Sequence, residues 1–452
     1  MCMKKLSIKS IAEFCNGQCR IDGYINKIST DSRDIDENTL FVALIGERFD
    51  AHDFIPDVLS KGAKAVVCSK KVCDDERLIL VEDTGEALLR IAHGYRKTFN
   101  IPFVALTGSV GKTTTKGMVY AVVKQKFNTL RTAGNLNNEI GVPKTLFCLE
   151  EDHQAAVIEM GMNHFGEISR LSKTTEPDIA CITNVGTAHI ENLGSREGIL
   201  KAKTEILDGM KKGSPLIING DNEMLSQYEN EDYKIIRFGI DGENLHMKAT
   251  DIKPDSQGSG FVAHYNGEET DVYVPAVGIH NVYNALCAMC VGLELGYTLK
   301  EAAEGVKYFQ AEGMRQKITE FKGMTFIEDC YNANLDSMCA SLETLKTLKK
   351  TRSIAVLGDM LELGEFSAKA HSQVGEKAYD TGCDIVLTYG EDAVNIANAF
   401  INAGGKAEAY KDKAQLTAYL MGILKENDTI LFKGSRGMKM EEIFSYIYEN
   451  MD

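Results

Sequence analysis

A chain of 452 residues, 44% hydrophobic and 25% charged, has the composition of an ordinary globular protein and is long enough for about three domains. Its formal net charge of −15 excludes broad electrostatic binding to nucleic acid or to an anionic membrane, so an anionic ligand has to be held by local loops and a few cations. A lysine pair near the start is followed by no long apolar segment, and no run reaches about 18 apolar residues, which predicts a cytoplasmic protein without membrane insertion.

Residues 1–98 read as a small α/β domain, with strand-like runs over 40–44, 65–68 and 78–81 and a helical pattern over 85–97. Its loops carry Ser32 and Arg33 and, further on, His52. An arginine fork matches phosphate and hydroxyls match ribose, although Asp31 and Ser32 also suit a plain turn.

From 99 to 312 strand and helix alternate, the signature of a parallel sheet with ligands at the carboxyl ends of its strands. The run 101–106 breaks into Thr107-Gly108-Ser109-Val110-Gly111, and Lys112, Thr113 and Thr114 open a helix. Such a loop curls backbone N–H groups around phosphate oxygens at a helix N-terminus, with a lysine for the outer phosphates and a hydroxyl suited to Mg²⁺. Leu106 stands where the usual first glycine belongs, so the loop is a variant. The next two strand candidates end in Glu159, a carboxylate suited to Mg²⁺, and in the Thr187-Ala188-His189 segment, whose histidine is either structural or a ligand. Between the phosphate loop and the first of these strands, Asn135, Asn137 and Asn138 make an amide-dense loop, a helix cap or a substrate-facing surface. The lysines of the helical run 199–207 would ordinarily be solvated. Asn281 and Asn284, three apart on one helix face, suit the edge of a base. Cys287 and Cys290 share an apolar helical run, so packing is the expected role of this C-x-x-C pair.

The part 313–452 alternates again, with strands near 325–327, 353–357, 385–388 and 429–432, and reads as a second doubly wound domain. Polar clusters after three strands, 329–334, 358–364 and 433–437, predict one shared cleft.

The segments TGSVGKTTT, GNLNNEIGVP, IEMGMNHFGEI, TNVGTAHIENLGS, KAKTEI, HNVYNAL, YNANLDSM, GDMLELGEFS and KGSRGMKM occur in the order found in the Mur ligases, and the resemblance covers essentially the whole chain. It is greatest to the member that joins D-alanyl-D-alanine to UDP-N-acetylmuramoyl-tripeptide. The resemblance implies an α/β protein of three domains: a UDP-sugar-binding N-terminal domain, a central P-loop ATPase domain, and a C-terminal Rossmann-like domain for the incoming dipeptide. It implies ATP and Mg²⁺ as cofactors and a monomer.

Residue by residue, the resemblance puts Gly108, Ser109, Val110, Gly111, Lys112, Thr113 and Thr114 on the ATP phosphates. Glu159 and His189 become metal ligands, and Lys203 becomes a lysine carbamylated by CO₂. Asn281, Asn284, Arg315 and Asp329 would meet the nucleotide. Ser32, Arg33 and His52 would hold the UDP end; Asn135, Asn138, Tyr331 and Asn332 would hold the remaining substrate. The chain departs from the family pattern at Ala51, Thr187, Cys330 and Leu335, which bears on loop shape rather than on the reacting groups. Two rivals are a sister ligase or folylpolyglutamate synthase, which should lack the amide-rich loop, and an ATP-gated binding protein, which would need no amine acceptor.

Overall fold

The strand Phe103–Thr107 is buried at all five residues, as an apolar strand covered on both faces requires. Alternate side chains enter opposite layers: Phe103 and Ala105 join one core, Val104 and Leu106 the other. In this computed structural model, which describes residues 3–46, 48–311, 313 and 315–451, that strand lies inside a nine-stranded sheet. Its neighbours are Ile179–Ile182 and Ala155–Glu159, both parallel to it. The alternation of strands and helices predicts a parallel sheet, but this sheet is only partly so. Beyond Pro215–Asn219 and Lys234–Gly239 it continues into Met247–Pro254, Ser259–Tyr265 and Glu268–Val274, and the last two pairings are antiparallel. These edge strands are covered on one face only, so their sequences lack the unbroken apolar runs of the centre.

The N-terminal residues form a four-stranded parallel sheet, Lys27–Ser29, Thr39–Val42, Ala65–Cys68 and Leu78–Leu80. Its helix Thr84–Arg96 is shared with the central domain. Tyr95 is buried, its hydroxyl donates to the Leu149 carbonyl at 2.6 Å and accepts from the Lys4 amide at 2.8 Å. Arg96 donates to the carbonyls of Thr175 and Glu176 and lies over the Phe103 ring. One continuous core therefore runs from the first domain under the central sheet.

The expected boundary at Glu312 falls outside the described residues. The C-terminal sheet has the order Lys317–Phe321, Met324–Asp329, Asp428–Lys433, Arg352–Gly358, Ile385–Tyr389, Lys406–Tyr410, parallel except for the first hairpin. The last strand in sequence inserts between the second and third, so chain direction across the sheet reverses there. A crevice opens at such a reversal. Asp329 and Lys433 sit at it in register, on adjacent strand ends.

Candidate active site

A cleft of about 750 Å³ is lined by the phosphate loop, the amide-rich loop, the start of helix Ile279–Glu294 and the crevice of the C-terminal sheet. The helix Lys112–Val123 begins at Gly111, whose φ of 81° favours glycine. Gly108 is required by close approach, since a Cβ there would stand 1.9 Å from the Thr183 hydroxyl oxygen. The variant loop is held from below by the next strand end. Asn184 Oδ1 accepts from the amides of Ser109 and Val110, both at 2.9 Å. The Thr183 hydroxyl donates to the Val110 carbonyl, and Gly186 N–H donates to the Ser109 hydroxyl. The N–H groups that follow, at the helix start, face the cleft side where an anion is favoured.

Lys112 Nζ lies folded onto the Gly108 carbonyl at 2.8 Å. Burial pushes its ammonium below the ordinary lysine range; Arg315 adds to this and Glu159 opposes it. Thr113 donates to Glu159 Oε1 at 3.3 Å, and Asn137 Nδ2 donates to the same oxygen at 2.8 Å. Lys203 is buried, on the helix Arg196–Thr204, while Lys201 of the same helix is exposed. Burial, then Lys112, hold the Lys203 amine well below the usual lysine range. His189 Nδ1 stands 3.0 Å from Glu362 Oε2 but outside hydrogen-bond geometry, leaving it without a hydrogen-bond partner. Burial, with help from Lys112, lowers the pKa of this histidine despite Glu362, so the ring is neutral near pH 7.

Among the described residues no three His, Cys, Asp or Glu side chains converge as a closed metal site. The donors present, a threonine hydroxyl and a buried carboxylate at a phosphate loop with a neutral imidazole near the Lys112–Lys203 pair, fit a hard divalent cation that phosphate oxygens and water complete.

The C-terminal domain supplies the opposite wall. The Arg315 guanidinium stacks 3.8 Å from the Tyr331 ring centroid. Asp329 accepts from Lys433 Nζ at 2.6 Å and from Ser341 at 2.7 Å, and Lys433 also donates to the Asn332 carbonyl. Contacts that tie this wall to the central domain include Asp336, which accepts from Thr187 N–H at 3.1 Å, and His280, which meets Gln316 at 2.9 Å.

Several expectations are met differently. Asn281 and Asn284 line the cleft but are largely buried and bonded to each other, to the Val277 carbonyl and to the Thr115 hydroxyl, so they also tie the helix Ile279–Glu294 to the helix Lys112–Val123. Of the three polar clusters, the first and Lys433 line the cleft, and the second approaches it through Glu362, which stands beside the cleft-lining His189. Asp359 instead accepts from the amides of Glu391, Asp392 and Ala393, and Arg436 pairs with Glu441. Asn138 Oδ1 accepts from the amides of Ile140 and Gly141, where the helix Gly141–Leu146 begins, and both Asn135 and Asn138 are exposed on the cleft rim.

In the first domain His52 is buried. Its Nδ1 meets Asp50 at 2.6 Å and its Nε2 accepts from the Ser69 amide at 2.8 Å. Both nitrogens are engaged, so it fixes the loop instead of offering a ring to a ligand. Arg33 is exposed and bidentate to Asp31, a carboxylate that it holds far below the usual range, with Lys144 of the central domain as the more distant cation.

Sequence reasoning names Glu362 and Lys433 only as members of polar strand-end clusters, and it gives Asn184 and Lys116 no role of their own. Asn184 and Glu362 lie inside quoted motifs, but nothing in their spacing announces a partner distant in the chain.

Comparison with known proteins bears on this geometry. Residues 24–96 match the Mur ligase family catalytic domain, 106–292 the Mur ligase middle domain, and 314–436 the Mur ligase glutamate ligase domain. The UDP-N-acetylmuramoyl-tripeptide–D-alanyl-D-alanine ligase of Bacillus subtilis is 36% identical over 99% of both chains. MurF from Acinetobacter baumannii superposes with a TM-score of 0.93 at 32% identity, covering 99% of this chain and 100% of that one. MurF from Thermotoga maritima in complex with ADP gives 0.85 at 28%, covering 94% and 97%. From its phosphate loop to its C-terminal crevice, the chain belongs to the Mur ligase family.

Proposed function

We propose that this chain is an ATP-dependent ligase that joins D-alanyl-D-alanine to UDP-N-acetylmuramoyl-tripeptide through an acyl phosphate. The products are the UDP-linked pentapeptide, ADP and phosphate, in peptidoglycan precursor synthesis in the cytoplasm. The observation that carries this reading is that one cleft is lined by a phosphate loop, an amide-rich loop and a polar wall from the C-terminal domain, in a chain matched end to end by ligases named for that reaction.

The peptide carboxylate is a poor electrophile. Its oxygen forms a bond to the γ-phosphorus of ATP as the bond to the ADP oxygen breaks. Lys112 swings from the Gly108 carbonyl to the outer phosphates and, with the helix N-terminus, neutralises charge that builds there. The dipeptide amine then bonds to the acyl carbon, the amine gives up a proton, and phosphate leaves. Arg315, stacked on Tyr331 in the C-terminal wall of the cleft, would reach the nucleotide from that side. Thr113, Glu159 and His189 would hold Mg²⁺, which when bound supplies charge neutralisation at the phosphate oxygens. Ser32 and Arg33 take the UDP end, with His52 shaping their domain, and Asn135, Asn138, Tyr331 and Asn332 face the rest of the substrates.

Lys203 is the residue we assign to carbamylation. Burial and then Lys112 bias its amine toward the neutral form, which attacks the carbon of CO₂ and passes a proton to water, leaving a carbamate near Lys112.

The test is phosphate release from ATP with UDP-N-acetylmuramoyl-tripeptide, with and without D-alanyl-D-alanine, and mass analysis of the product. Release that needs both substrates and yields the pentapeptide is expected. Release indifferent to the dipeptide overturns the reading.

A further inference from the structure

The helix that follows the phosphate loop carries a second lysine one turn beyond Lys112, and the chemistry above gives it no part. Lys116 is fully buried; its Nζ donates to the Gly134 carbonyl at 3.1 Å and lies 3.3 Å from Glu159 Oε2. A lysine head taken out of water persists only where charged or carbonyl partners replace the water. Here the two partners belong to different parts of the site. Gly134 opens the amide-rich loop with a φ of 52°, and Glu159 ends the strand beside the phosphate loop.

The other oxygen of Glu159 is fixed by Thr113 and by Asn137, a member of the same amide-rich loop. Gly161 N–H in turn donates to the Asn137 carbonyl. Loop and carboxylate are therefore bridged twice, and Lys116 is the bridge anchored in the phosphate-loop helix. Spacing explains its placement: residues four apart share a helix face, so Lys116 lies beneath Lys112, where it meets the loop from below.

We propose that Lys116 is a positioning residue that couples the amide-rich loop to Glu159, so that the loop's pose against the UDP-sugar peptide and the carboxylate's pose toward the metal–nucleotide are set together. The coupling rests on the reading of Glu159 as a carboxylate that serves the cation and of the loop as substrate-facing.

Coupling of this kind is reciprocal and is read by binding alone. With the full-length protein, the Kd of Mn²⁺·ADP is measured with and without saturating UDP-N-acetylmuramoyl-tripeptide. The wild type is expected to show a ratio of about 5 or more, and Lys116→Met a ratio below about 2. Thermal unfolding reports whether the variant is folded; should it not be, Lys116→Gln, which keeps a donor for the Gly134 carbonyl, takes its place and its ratio must also fall. An unchanged ratio in a folded Lys116 variant, or no coupling in the wild type, overturns the proposal. Glu159→Gln tests the underlying reading separately: its Mn²⁺·ADP affinity should fall about tenfold or more, as loss of a group at a metal commonly does. Unchanged affinity there defeats the metal role of Glu159, and the coupling with it, independently of any Lys116 result.

Discussion

Replacing Asn184 by leucine removes the amide oxygen on which the first half of the phosphate loop rests, at nearly constant side-chain size. That oxygen accepts from Ser109 N–H and Val110 N–H, both at 2.9 Å. The Ser109 amide keeps a second acceptor, the Asn184 carbonyl at 3.2 Å, so the variant orphans one amide and weakens another. An amide left without a partner costs about 1–3 kcal/mol, and a lost shared bond adds about 0.5 kcal/mol. A loop destabilised by about 2 kcal/mol has to be reordered when nucleotide binds, and at about 1.4 kcal/mol per decade this weakens ADP binding about 30-fold. Calorimetric titration with ADP measures it, with thermal unfolding as the control for global stability. Asn184→Asp sharpens the test, because it keeps an acceptor for both amides but sets a carboxylate beneath the phosphates; it should fold like the wild type and still bind ADP poorly. ADP affinity within about twofold of wild type in Asn184→Leu would refute the argument that this side chain builds the loop.

Three further outcomes are expected. Lys112→Ala should lower kcat by on the order of 10²-fold or more, by analogy with other lost oxyanion partners, and ligation near wild type would remove the lysine from the chemistry. Lys203→Ala should be inactive and partly restored by a short carboxylic acid in the buffer; full activity without the acid would sink the carbamate. Burial raises the Tyr95 phenol from 10.0 to about 12, a folded value above the unfolded one. Its linked stability is therefore complete below pH 10 and lost as pH climbs toward 12. Tyr95→Phe, less stable at neutral pH for want of its bonds to Leu149 and Lys4, should show a shallower alkaline decline in thermal melts.

The sequence makes legible those elements whose local pattern equals their tertiary role. Phe103–Thr107, Ala155–Glu159 and Asp428–Lys433 are buried on both faces, so unbroken apolar runs mark them and their polar ends mark the ligand side. The strand Met247–Pro254 is half exposed and its register slips between Thr250 and Lys253, which blurs the alternation that would identify it. Strand ends alone do not say which way the next loop turns. Asp329 turns into the cleft, whereas Asp359 turns away to cap neighbouring amides. Asn281 and Asn284 share the helix face predicted for them, and that face lines the cleft while also packing on Thr115, a contact that spacing alone does not announce. Lys116 looks like any helical lysine until the fold buries it.

The segment after Ile179–Ile182 joins these pieces mechanically. Thr183, Asn184 and Gly186 hold the phosphate loop, and a few residues on, Thr187 donates to Asp336, His189 faces Glu362 and Glu191 packs on Gly364, all three partners from the C-terminal domain. His189 and Glu362 have φ values of 62° and 63°, two side-chain-bearing residues in the left-handed region meeting across a domain boundary. Each such conformation costs on the order of 1 kcal/mol and persists only where surrounding contacts over-determine it. Displacing the C-terminal domain would release both residues and, through the same short stretch of backbone, loosen the floor under Ser109 and Val110. The placement of the C-terminal domain and the order of the phosphate loop are thus linked through one short segment, residues 183–191. On the function proposed above, that link would make phosphate-loop order depend on closure of the C-terminal domain over the cleft.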